Sequence, residues 1–130
     1  MESSRVGVQD RASGRRIGAW VTSVGEDLVI AVGGGQRPHV GCVVLAQPQP
    51  AQAKNGEWSA TCSVLTIPPH KEEPIARGIA TRLAEEFGRV TVVTAGVHDD
   101  NLDAEGIACY LRLGDELAQG LVTHLKDVEK

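Results

Sequence analysis

The sequence predicts an α+β fold: a mixed, mainly antiparallel sheet with two helices packed on one face, in the order β-β-β-β-α-β-α. Three observations predict it. Strand-like alternation recurs in four segments before any helical period begins. One apolar stripe at four-residue spacing, Ile75, Ile79, Leu83 and Phe87, leads into a short β-branched run, Val90 to Ala95. From Asn101 to near its end the chain is again periodic as a helix.

Residues 1–14 are polar and without period, which predicts a loose N-terminal arm; 15–130 then form a single domain. Arg16 to Val24 alternates and opens the sheet. Gly25-Glu26-Asp27 is a short turn, and Leu28 to Val32 is the return strand of a hairpin. Gly33-Gly34-Gly35-Gln36-Arg37-Pro38-His39 follows as a glycine-rich turn, then a strand from Val40 to Ala46. Gln47 to Glu57 reads as a polar loop, with Asn55-Gly56 as a tight-turn signal.

Ser59 to Ile67 alternates again, with Ala60, Cys62, Val64 and Thr66 on one face. Pro68-Pro69 ends it, because proline cannot extend a ladder. Pro74 is tolerated in the first turn of the following helix. Ala76, Ala80 and Ala84 give that helix a small-residue stripe for close packing on a sheet, and Gly88 sits where a C-cap glycine belongs. This strand–helix–strand unit predicts a parallel pair of its two strands with a right-handed crossover. The polar turns after them, at His70 and at His98-Asp99-Asp100-Asn101, then share one sheet edge, where ligands bind in such sheets. In the final helix Asn101 or Asp103 suits the cap, and Gly114-Asp115 either breaks it into two or does not. The second sheet face must meet solvent or a partner; Trp20 falls there, which favours a homodimer.

The totals exclude several classes. The chain has 130 residues, a net charge of −4 and 3% aromatic residues. No basic run or stacking platform suits nucleic acid. No apolar run approaches the ~18 residues of a membrane span. The Met-Glu-Ser-Ser start lacks the apolar core of a signal peptide, and three cysteines without a CxxC argue for a reducing interior, so a cytoplasmic location is expected.

Three stretches carry candidate chemistry. Gly33-Gly34-Gly35 with Pro38-His39 is either an amide-lined anion cradle or a plain flexible turn; it is neither a GxGxxG nor a Walker loop. His70-Lys71-Glu72-Glu73 at a helix start is either a phosphate site aided by Lys71 or a solvated helix start. His98-Asp99-Asp100-Asn101, with His70 beside it, is either a divalent-ion site through His70, His98 and Asp100 or a capped polar turn. Cys42, Cys62 and Cys109 lie in apolar patterns as small core residues. No GxSxG elbow or nucleophile–base pair supports hydrolysis.

Together, Gly33 to Gly41, Pro69-His70-Lys71-Glu72 and Val92 to Asn101 resemble the LpdD-like proteins, small accessory subunits of UbiD-type hydroxyarylic acid decarboxylases. The resemblance spans about Arg16 to Leu125. It implies a fold similar to proteasome assembly chaperones. It also implies a non-catalytic chaperone that carries prenylated flavin mononucleotide for the decarboxylase, with a flavin prenyltransferase as a further partner. On that reading Gly33, Gly34, Gly35, Arg37, Pro38, His39, His70, Lys71, Glu72 and Asn101 bind the cofactor, and a metal on His70, His98 or Asp100 bridges to its phosphate. Asp99 departs from the family pattern, where an aliphatic residue is expected. The alternatives are a flavin-free docking subunit of the decarboxylase and a metal-binding regulatory protein.

Overall fold

A computed structural model describes residues 1–50, 58–68 and 72–128. Six strands form one sheet: β1 (Ser3–Gln9), β2 (Arg16–Val24), β3 (Asp27–Gly35), β4 (Cys42–Pro50), β5 (Trp58–Thr66) and β6 (Thr91–His98). Helix α1 (Glu73–Phe87) lies between β5 and β6, and α2 (Ala104–Val128) ends the fold. The sheet order is β1-β2-β3-β6-β4-β5, and only β3 and β6 pair in parallel. The α+β class, the mainly antiparallel sheet and the two helices are as the sequence predicts.

The parallel pair differs from the prediction. β4 enters between β5 and β6 and is antiparallel to both, so these two run the same way without touching. β6 pairs with β3 instead, from Leu28 opposite Thr91 to Gly35 opposite His98. The crossover rule gives the direction of two strands but not what is inserted between them. The functional consequence survives: β3, β5 and β6 all end at one edge.

Three further boundaries move. The expected loose arm contains β1, whose Val6 and Val8 pack on the core and whose Ser4 Oγ bonds His124 Nε2 of α2 at 2.7 Å. With two apolar residues its alternation is easily missed. Gly33-Gly34-Gly35 is the end of β3 rather than a turn, and β4 continues to Pro50 into the expected loop. The Asn55-Gly56 turn lies outside the described residues.

Core formation follows the alternation. Ile17, Ala19 and Val21, then Leu28, Ile30 and Val32, then Cys42, Val44 and Ala46, and Val93 and Ala95 point at the helices and are buried. α1 lays Ala76, Ala80 and Ala84, all fully buried, on β4, β5 and β6; α2 covers β1 and β2. Gly88 takes the left-handed C-cap of α1 and its N–H bonds Ala84 O. Asp103 caps α2 through the Gly106 amide at 2.8 Å, while Asn101 is left-handed with φ 58°. Gly114 does not break α2. A Cβ there would lie 3.1 Å from Ile75 Cγ1, so this glycine lets the two helices meet. No described helix is long and apolar enough to cross a membrane.

Candidate functional site

The carboxyl edge is built by the strap 36–41, which leaves β3, crosses the end of β6 and enters β4. Its amides bond along β6: Arg37 N to His98 O at 3.1 Å, His39 N to Gly96 O at 3.4 Å and Gly41 N to Ala95 O at 2.9 Å. Such close crossing needs bare backbone beneath. A Cβ on Gly96 would lie 1.7 Å from His39 O, and one on Gly33 would lie 2.9 Å from Pro38 Cβ. The Gln36 amide is also taken, by Asp99 Oδ1 at 2.8 Å. The Gln36, Arg37, His39 and Gly41 amides are therefore bonded within the sheet edge.

Asp99 is the fixing point of this edge. Its Oδ2 accepts the Tyr110 hydroxyl at 2.6 Å and lies 3.7 Å from Arg15 Nε. Asp99 thus ties the strap, β6 and α2 together. Burial first, then the bond and charge of Asp99, hold the Tyr110 phenol above its ordinary range.

His98 and Asp100, two of the three residues singled out for a metal, lie together, with His98 Nε2 3.1 Å from Asp100 Oδ1. Their cation is Arg37, whose Nη2 lies 2.5 Å from Asp100 Oδ1 and 2.8 Å from His98 Nε2. The His98 bond, then Arg37, holds the Asp100 carboxyl below its usual range. Asp100 N donates to Gln36 Oε1 at 2.8 Å, which closes the rim beside Asn101. Among the described residues no group of three His, Cys, Asp or Glu is arranged for a metal ion. His70 and Lys71 lie outside the described residues.

Glu72 is buried behind the strap. Its Oε1 has no hydrogen-bond partner among the described residues and lies 3.4 Å from His39 Nε2. His39 Nδ1 is 3.2 Å from Arg37 O, so the ring is held from both sides. Gly41 makes room for the carboxylate, since a Cβ there would lie 2.9 Å from Glu72 Oε2.

On the sheet face away from the helices a cleft of about 1020 Å³ opens. Gly33, Gly34, Gly35, Pro38 and His39, five of the residues singled out in the sequence, line it. Arg5, Gly7, Arg16, Gly18 and Trp20 line it as well, and sequence reasoning missed them as site residues. Registers explain why they meet: Gly7 pairs with Gly18, Gly18 with Gly33, and Gly33 with Gly96, one glycine row across four strands. Arg5 pairs with Trp20, and its guanidinium carbon lies 5.5 Å from the Trp20 ring centroid. The findable signal was period two, since Arg5-Gly7 and Arg16-Gly18-Trp20 each share a strand face.

Residues 11–126 match the model of a family described as the prenylated flavin chaperone LpdD-like domain. Protein LpdD of Lactiplantibacillus plantarum (strain ATCC BAA-793 / NCIMB 8826 / WCFS1) is 26% identical over 116 residues, covering 88% of this chain and 80% of that protein. A chain from a crystal structure of a chaperone complex for yeast 20S proteasome assembly superposes with a TM-score of 0.64. It is 18% identical, over 96% of this chain and 99% of that one, and it speaks to the fold alone.

Proposed function

Since the chain belongs to the family of prenylated flavin chaperone LpdD-like domains, we propose that it binds prenylated flavin mononucleotide without turnover and delivers it to a UbiD-type non-oxidative aromatic acid decarboxylase. The observation that carries this reading is the open cleft beside the strap. A flavin mononucleotide joins a flat ring system to a phosphate. The cleft has a floor without side chains of its own at Gly7 and Gly18, and two arginines in its wall. Among the described residues no carboxylate lines it, in a chain of net charge −4.

Gly33, Gly34, Gly35, Pro38 and His39 would contact the cofactor from the β3 and strap side. Arg37 and Glu72 serve it indirectly, Arg37 by tying the strap to Asp100 and Glu72 by facing His39, and Asn101 follows Asp100 at the same rim. The cofactor brings the decarboxylation chemistry; this chain binds, shields and releases. A chaperone that must release its cargo suits an affinity near micromolar or a little tighter, about 8–10 kcal/mol.

The test is transfer. The protein, loaded anaerobically, is mixed with cofactor-free decarboxylase, and decarboxylation is followed against free cofactor. Faster or fuller activation by the loaded protein supports delivery. Activation no better than that by free cofactor contradicts it.

A second reading has its own observation. Trp20, Val29 and Leu65 are exposed on the same sheet face, Leu65 at 74%. Such a face suits a protein surface, as in a docking subunit that carries no flavin. Capture of the decarboxylase by cofactor-free protein, with no flavin uptake, would favour it.

A further inference from the structure

Glycine inside a strand weakens it, and a fold normally offers a reason for the cost. Gly33 and Gly96 have one, because Pro38 and His39 lie on them. Among the described residues no backbone crosses Gly7 or Gly18; of the side chains, only that of Arg5 reaches Gly18, on its way to the Trp20 ring. Neither takes a positive φ. A Cβ on Gly7 would meet only Ile17 O at 3.7 Å, and one on Gly18 would meet Val6 O at 3.6 Å and the Arg5 guanidinium at 3.9 Å. These are ordinary contacts. Within this chain both positions accept a Cβ, and β-branched residues have the higher strand propensity. A bare strand position without an internal cause marks close approach by something from outside.

The surroundings say what approaches. Trp20 and Arg16 lie two residues to either side of Gly18 on the same face of β2, each ~7 Å away along the strand. One side of the bare floor is therefore aromatic and the other cationic. Pro38, His39 and Val40 wall it toward β6. Among the described residues Arg5 and Arg16 are its charges, with no opposing carboxylate in the lining.

We infer that Gly7 and Gly18 are the seat of a flat aromatic ligand, flanked by Trp20, and that Arg16 holds the ligand's phosphate. This deepens the carrier reading and rests on it. It moves the anion site away from the strap amides, which are already bonded, to the β1–β2 side of the cleft. It also gives β1 a functional role.

Flavin mononucleotide and riboflavin serve as probes, titrated into the full chain by flavin fluorescence, with native mass and thermal midpoint recorded for every variant. Gly18→Val and Gly7→Val place side chains on the floor at two positions where a Cβ meets only ordinary contacts. Each is expected to weaken binding of both probes by about tenfold or more, with native mass unchanged and a thermal midpoint at least that of the parent. Arg16→Ala is expected to weaken flavin mononucleotide by about tenfold while leaving riboflavin as it was. If the parent binds flavin mononucleotide and both valine variants bind it equally well, the seat is overturned and the carrier reading stands. If the valine variants keep full flavin binding but lose a dimer, the glycine face seats a second copy and the inference fails. If the parent takes up neither flavin mononucleotide nor its prenylated form, both fall together.

Discussion

The Tyr110 hydroxyl donates to Asp99 Oδ2 over 2.6 Å, while the other oxygen of that carboxylate accepts the Gln36 amide at 2.8 Å. One aspartate therefore joins the last helix to the strap that borders the cleft. Tyr110 is 4% exposed, and it is the chain's single tyrosine, so the link can be read without interference from another phenol.

The phenol should resist ionisation. A tyrosine ordinarily titrates near ~10, and burial with Asp99 raises this one. The folded state then keeps its proton where the unfolded chain has lost it. The stabilising contribution is complete below pH ~10 and falls as pH rises above that value. Phenolate absorbance should appear late and together with unfolding. In Asp99→Asn it should appear earlier, and Tyr110→Phe should cost about 1–3 kcal/mol by urea denaturation. Ionisation at the ordinary pH in the folded parent would contradict the link.

Gly96 and Gly18 make a contrasting pair. Gly96→Ala drives a methyl into His39 O, 1.7 Å from the ideal Cβ position, and should cost about 3 kcal/mol or more by denaturation as the strap lifts. Gly18→Ala meets only ordinary contacts and should be neutral or slightly stabilising. Equal effects of the two would contradict the strap geometry.

Gly114 lies against Ile75, so Gly114→Leu should destabilise by about 1–3 kcal/mol. Ile75→Ala alone opens a cavity and should cost about 2–5 kcal/mol. Combined, the two should cost clearly less than their sum, because each relieves the other. Simple additivity in denaturant midpoints would place the helices further apart.

Cys42 is 2% exposed, and burial followed by the charge of Glu72 raises its thiol above the usual range. Cys62 is half-buried beside Thr81. Iodoacetamide near pH 8 should label Cys62 well before Cys42, read by peptide mass. The reverse order would contradict the burial of the β4 start.

Alternation made most of the fold legible. β2 runs over Arg16–Val24 as its pattern predicts, and the apolar stripe of α1 and its Gly88 cap stand as read. What stayed hidden was pairing. Nothing local to β5 or β6 says that β4 enters between them. Nothing local to Val6 and Val8 says that Ser4 will bond His124 across 120 residues. The site divides in the same way. Gly33, Pro38 and His39 stand out in the chain as a motif. Gly7, Gly18 and Trp20 become a site only when registers align them, and the Asp99 bonds depend on where α2 returns.

The most direct measurement is the native mass and absorbance spectrum of the protein after anaerobic co-expression with a flavin prenyltransferase. The account predicts a coloured protein with one prenylated flavin mononucleotide per chain, lost in Gly18→Val at unchanged fold. A colourless parent without adduct, under conditions in which a decarboxylase does load, would contradict the carrier function.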